Sequence, residues 1–232
     1  MHAYRRILLC ITAAVLWSNL AIAGEYDEII DKIPRHEEIN DWKPVVGKVD
    51  EQEYLAIQLD IGDRTKNLFE PVLIFALIKE GRSYEPFAVW RIANLNTDLD
   101  VDFRNNSIYV RYSTAHHGVY SSTYQFKRRA GIFQLVGIET DSSTNDYNEK
   151  TQRQFFVRSR ASVNLLTAKA VISARRVEMH TRRENKKFVQ RTVPIREGAP
   201  IPLKQFDPYN FHEDFLCHYF DNNLQLINSC KK

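Results

Sequence analysis

Glycine and cysteine are scarce in this chain of 232 residues, with eight of the first and three of the second. So few glycines, and no self-similarity at a fixed period, argue against an obvious repeat array. Long apolar runs are also missing. Past residue 23 there is no stretch of 18 or more apolar residues. No later segment can therefore cross a hydrocarbon core of about 30 Å as a helix, and the mature protein is expected to be soluble. The chain contains no G-x-S-x-G, no H-E-x-x-H, no P-loop and no glycine-rich dinucleotide fingerprint. The commonest serine-hydrolase, zinc-peptidase and nucleotide-binding signatures are thus absent, and no cofactor or metal is expected.

Residues 1–23 have the order of a secretory signal. Arg5 and Arg6 supply the positive start, residues 7–17 are an apolar run of 11, and the segment ends in small residues at Ala21 and Ala23. That order predicts cleavage after Ala23 and a periplasmic or secreted protein. The run is too short to span a bilayer; a buried core helix is the alternative. Cys10 sits inside the apolar run without small residues before it, which argues against a lipid anchor. Only Cys217 and Cys230 remain after cleavage. In an oxidising compartment they read as a disulfide closing a loop of 14 residues, worth roughly 3 kcal/mol by chain-entropy reasoning. The alternative, a metal site with His218, lacks the close cysteine spacing of zinc sites.

Removing the leader takes the formal charge from +3 to +1, and the total hides an asymmetry. Residues 24–102 hold 18 acidic and nine basic side chains, and residues 103–232 hold 11 acidic and 21 basic. Either the halves neutralise one another across a shared fold, or a basic face meets an acidic partner or an anionic surface. Nucleic acid is not the expected partner of an exported chain.

The pattern predicts an all-β domain over residues 24–232, with an irregular tail at 203–232. Residues 25–39 read as one or two short helical turns, stopped near Pro34. Residues 54–61 alternate, 71–78 form a continuous apolar strand, and 84–91 return after a turn at 80–83. Residues 100–103 and 107–113 form a pair, with Tyr109 and Arg111 on one face and Ile108, Val110 and Tyr112 on the other. A hairpin joins 122–128 to 132–140 around Arg129-Ala130-Gly131, and 144–149 reads as a polar loop. Strands follow at 154–160, 161–165, 168–180 and 187–194. In the tail, Phe206, Tyr209, Phe211, Phe215, Tyr219 and Phe220 read as rings that cap a core. Many short strands with short turns suggest an antiparallel meander closed as a sandwich or partial barrel.

Three clusters carry the candidate chemistry. His116 and His117 are adjacent, so on a strand they point to opposite faces; both could serve one site only from a loop. Asp98, Asp100 and Asp102 alternate like calcium ligands but lack the turning glycine such loops use, and a solvated edge strand explains them equally well. Arg175, Arg176, Arg182, Arg183, Lys186 and Lys187 read either as a basic hairpin that binds a partner or as an edge kept from aggregating by its charge.

Residues 108–112, Tyr124-Gln125-Phe126-Lys127-Arg128, the segment from Gly131 to Glu139 and Ser162-Val163-Asn164-Leu165-Leu166-Thr167 resemble, in this order, a family of uncharacterised exported bacterial β-rich proteins. Some of these are similar to integrin-like and propeller calcium-repeat proteins. The resemblance covers residues 108–168, about a quarter of the chain. It implies an exported β-rich domain and offers no catalytic residue. Family members often carry an aspartate-rich loop ahead of the first strand. Here the matching place reads Gly47-Lys48-Val49-Asp50-Glu51-Gln52-Glu53, which keeps the first glycine and loses the aspartates and second glycine.

Export, a compact β domain, polarised charge and no catalytic set point to a protein-binding module, in the form of an immunity or inhibitor protein that occupies a secreted toxin. The alternatives are a structural envelope-associated module, or a hydrolase using His116 or His117 with Asp98, Asp100 or Asp102.

Overall fold

The structure, a computed structural model, describes residues 26–31, 39–63, 68–80, 83–92, 97–114, 118–179, 184–194, 201–206 and 208. The expected leader, His116, His117, Arg182, Arg183 and the Cys217–Cys230 pair lie outside these residues. The chain divides into two units, Met1–Ile39 and Asn40–Lys232. In the first, a single helical turn, α1 (Asp27–Ile30), is closed by Ile29 N–H and Ile30 N–H donating to Tyr26 O at 2.9 and 3.1 Å. That is one turn of the helical stretch read over 25–39; residues 32–38 lie outside the description.

Apart from turns and a 3-10 turn at Leu203–Gln205, the rest of the described chain is strand: β1 (Ile39–Val49), β2 (Gln52–Asp63), β3 (Leu68–Ile78), β4 (Tyr84–Arg91), β5 (Thr97–Arg104), β6 (Ser107–Thr114), β7 (Gly118–Arg129), β8 (Ile132–Asn148), β9 (Arg153–Asn164), β10 (Lys169–Glu178) and β11 (Glu184–Pro194). β1 to β4 form a four-stranded sheet and β5 to β11 a seven-stranded one, each in simple meander order. The chain is therefore an all-β, antiparallel, sandwich-like fold, as the alternation predicts.

The turns explain why successive strands pair. Asp50-Glu51, Asn105-Asn106 and Ala130-Gly131 are two-residue links with φ of 50 and 63°, 50 and 51°, and 48 and 83°. Positive φ at both positions matches the right-handed twist of a hairpin. Segment 47–53 is thus the β1–β2 hairpin, and Gly47 has a different reason to be glycine. A Cβ there would lie 2.2 Å from Phe103 Cβ, because β1 and β5, an edge of each sheet, run close together. Lys43 Nζ reaches Asp100 Oδ1 at 3.2 Å along the same seam.

The core lies between the sheets. Tyr54, Leu73, Phe75 and Trp90 from the smaller sheet share one cluster with Ile108, Val110, Tyr112, Tyr124, Phe126 and Ile138 from the larger. Trp90 packs on Phe75, Phe126 and Phe206, with centroids 5.2, 5.8 and 5.3 Å away. Its indole N–H donates to Leu203 O at 2.8 Å. Of the expected ring cluster in the tail, Phe206 caps this core; the other five rings lie outside the described residues. The apolar run of β3 is buried on both faces, which is why it reads as continuous rather than alternating.

Two strand readings are corrected. Residues 144–149 are not a loop. β8 continues to Asn148, paired from Thr144↔Val157 to Asn148↔Arg153, and the turn falls at 149–152. The long ladder to β9 carries this polar segment, which has no apolar alternation of its own. Residues 154–160 and 161–165 are one strand, β9.

Candidate binding face

In the seven-stranded sheet, alternation sends one set of side chains to the core and the other outward. On β6, Ile108, Val110 and Tyr112 are buried while Arg111 is exposed and Tyr109 half-buried. Following the register across the sheet gives rows of outward residues. One row runs Asp98, Ser113, Ser121, Asp141, Arg160, Ser173; the next runs Asp100, Arg111, Thr123, Glu139, Ser162, Val171. These two rows are mostly polar, with exposed Val171 the apolar exception. Two shallow grooves of about 590 and 460 Å³ cross the face and share Thr123, Glu139 and Ser162.

Its centre is an ion-pair cluster. Asp141 accepts from Arg158 Nε at 2.8 Å on Oδ1 and from Arg160 Nε at 2.9 Å on Oδ2, and Arg158 Nη2 also reaches Oδ2. The hydrogen bond from Arg158 is the main reason the Asp141 carboxyl sits below its usual value; partial burial opposes this and Arg160 adds to it. Two guanidiniums thus share one carboxylate, and the two arginines stay about half exposed at 47 and 59%. Arg175 stands directly across from Arg158 on β10. Like charges facing each other across a ladder repel, so this row gathers positive charge on the face, offset in part by Asp141. Beyond it the outward residues turn apolar, with Phe156 40%, Tyr147 48% and Met179 47% exposed.

Of the residues singled out from sequence, Arg175 therefore belongs to this face. Arg176 and Lys186 and Lys187 lie in the backbones of β10 and β11, with their side chains outside the description. Asp98, Asp100 and Asp102 alternate outward and exposed on β5, an edge strand. Asp100 pairs with Lys43 and Asp102 with Arg104 at 3.2 Å each. Among the described residues no three His, Cys, Asp or Glu side chains gather closely enough to hold a cation. The positive excess of the sequence falls in the segment of the larger sheet: residues 39–91 hold nine acidic and seven basic side chains, and residues 97–194 hold nine and seventeen. On this face it becomes an acidic edge at β5 and a basic centre at β9 and β10.

No protein-family model, curated protein or solved structure matches the chain.

Sequence reasoning missed Arg158, Arg160 and Asp141. The signal was there, since Arg158 and Arg160 are two apart in a strand and must share a face. Their carboxylate sits on the next strand in a segment that reads as polar turn.

Proposed function

We propose that the chain is a protein-binding module, exported to the periplasm or beyond, that presents the outer face of the seven-stranded sheet to an acidic protein partner. Its role is that of an immunity or inhibitor protein against a secreted toxin. The observation that carries this reading is the arginine row at Arg158, Arg160 and Arg175, continuing into exposed Phe156, Tyr147 and Met179. Arginine beside exposed aromatic and methionine side chains is the composition of interaction hot spots. An inhibitor needs such a surface and no chemistry of its own. Surplus positive charge would speed encounter with an acidic enzyme and make it salt-dependent.

The test uses the tagged protein as bait in envelope extract of its own host, beside an Arg158→Ala/Arg160→Ala variant, at low and high salt. The expected result is one dominant enzyme, recovered in a salt-sensitive complex, inhibited by the bait, and lost with the double variant. Hot-spot arginines carry about 2 kcal/mol or more each, about thirtyfold for one, so affinity should fall by more than about thirtyfold and by up to about a thousandfold when both are removed. Equal capture by both baits, or a captured enzyme whose activity is unchanged, would overturn the proposal in favour of a structural envelope role.

A further inference from the structure

A second site, away from the arginine face, lies at the open end of the sandwich where the β7–β8 turn approaches the start of β4. It is a cavity of about 340 Å³ whose lining includes Tyr54, Phe87, Phe133 and Leu203, with Arg128 and Lys204 at its rim. Three rings build its inner wall. Tyr54 meets Phe133 edge-on at 5.1 Å, Phe87 stacks on Phe133 at 5.7 Å with planes 20° apart, and Tyr54 meets Phe87 edge-on at 6.0 Å. Tyr54 and Phe133 are almost fully buried, while Phe87 is half-buried, so one ring of the trio is left with an open flank.

The cavity is preformed. Leu203 is fixed by the Trp90 indole N–H on its carbonyl, and Leu135 N–H donates to Ile201 O at 2.9 Å. These two bonds hold the 201–203 segment against both sheets. The β7–β8 turn borders the opening, with Ala130 and Gly131 at positive φ in a tight two-residue hairpin and Ile132 44% exposed.

The charges at the rim do not cancel. Glu85 also lines the cavity, and its carboxylate is paired with Lys79. Arg128 and Lys204 are exposed and form no ion pair among the described residues. A small apolar cavity with a few fixed polar groups is the usual form of a ligand site.

We propose that this cavity binds a small aromatic carboxylate, with one or two fused rings lying against the open flank of Phe87 and the carboxylate held by Arg128 and Lys204. Rings supply offset-stacked and edge contacts for a planar body, and the guanidinium supplies the paired donors that suit a carboxylate. The site would function whether or not the arginine face engages a protein.

The test titrates the isotope-labelled full chain with 2-naphthoate and with its neutral isostere 2-naphthalenemethanol, followed by amide chemical shifts. A ligand of this size at about 0.3 kcal/mol per heavy atom should bind with a Kd of about 1 mM or below. Saturating shifts are expected at Phe87, Phe133 and residues 201–204, with naphthoate at least about tenfold tighter than the alcohol. Arg128→Gln/Lys204→Gln changes only exposed side chains; it should keep the wild-type melting temperature, erase that tenfold preference and leave the alcohol's binding unchanged. The proposal fails if naphthoate does not saturate by 10 mM, if acid and alcohol bind equally, or if the shifts fall on Arg158 and Arg160 instead.

Discussion

Adding one methyl group at Gly47 should measurably destabilise the protein. An ideal Cβ there would stand 2.2, 2.4 and 2.7 Å from Cβ, Cγ and Cδ2 of Phe103. Carbon atoms in contact prefer about 3.5–4.0 Å, so each approach must open by roughly 1 Å or more. The two ring atoms can rotate away, but Phe103 Cβ is fixed to the backbone of β5, and no rotamer change relieves the shortest contact. The β1 and β5 edges must separate, which costs on the order of 1–3 kcal/mol for overpacking. Replacing a strand glycine by alanine would otherwise gain about 0.5 kcal/mol. The net expectation for Gly47→Ala is a loss of about 1.5 kcal/mol, a fall of roughly 3–6 °C in Tm for a domain of this size. Urea and thermal unfolding by circular dichroism would measure it. A double-mutant cycle makes the argument specific. Because Cβ survives in Phe103→Ala, the Gly47→Ala penalty should largely persist in that background and vanish only with Phe103→Gly. A Gly47→Ala protein within 0.5 kcal/mol of wild type, or a penalty undiminished beside Phe103→Gly, would refute the reasoning.

Ala130 holds φ at 48°, a left-handed conformation that costs a non-glycine residue about 1 kcal/mol and suits asparagine better. Ala130→Asn should raise stability by about 0.5–1 kcal/mol, read as a higher urea midpoint at unchanged slope. Trp90→Phe removes the buried indole donor to Leu203 O and part of a ring packed on three others. It should cost about 2–3 kcal/mol in the same assay; a loss below 1 kcal/mol would count against Trp90 as the anchor of the 201–203 segment. The depressed carboxyl of Asp141 contributes stability that is present above its unfolded pKa of about 3.9 and lost as pH falls through the lower folded value. Urea midpoints between pH 7 and pH 2 should therefore drop less steeply at the acid end for Asp141→Asn than for wild type.

How much of this was legible before the structure depended on how local the cause is. Alternation and turn residues marked the hairpins 107–113, 122–128 and 132–140, and the same alternation sorted Tyr109 and Arg111 from Ile108, Val110 and Tyr112. Side-chain period and turn conformation are set within a few residues, so the sequence carries them openly. β1 escaped because its Pro44 and Gly47 weaken a strand pattern, and such residues are tolerated on an edge. Residues 144–148 escaped because their strand character comes from β9, their pairing partner, and not from their own side chains.

The candidate sites were less legible still. Arg175 was singled out with five other basic residues, but the cluster around Asp141 exists only because the β8–β9 register sets Asp141 opposite Arg160. The reason for Gly47 lies in Phe103, and the aromatic cavity joins Tyr54, Phe87, Phe133 and Leu203 from four separate segments. By itself the sequence determined the all-β class, the meander and, in the strands with clear alternation, which way the side chains point, because these follow from backbone period and turn geometry. The tertiary structure alone decided which edges touch, which charges share a carboxylate and where rings leave a gap, because those depend on register and on the packing of one sheet against the other.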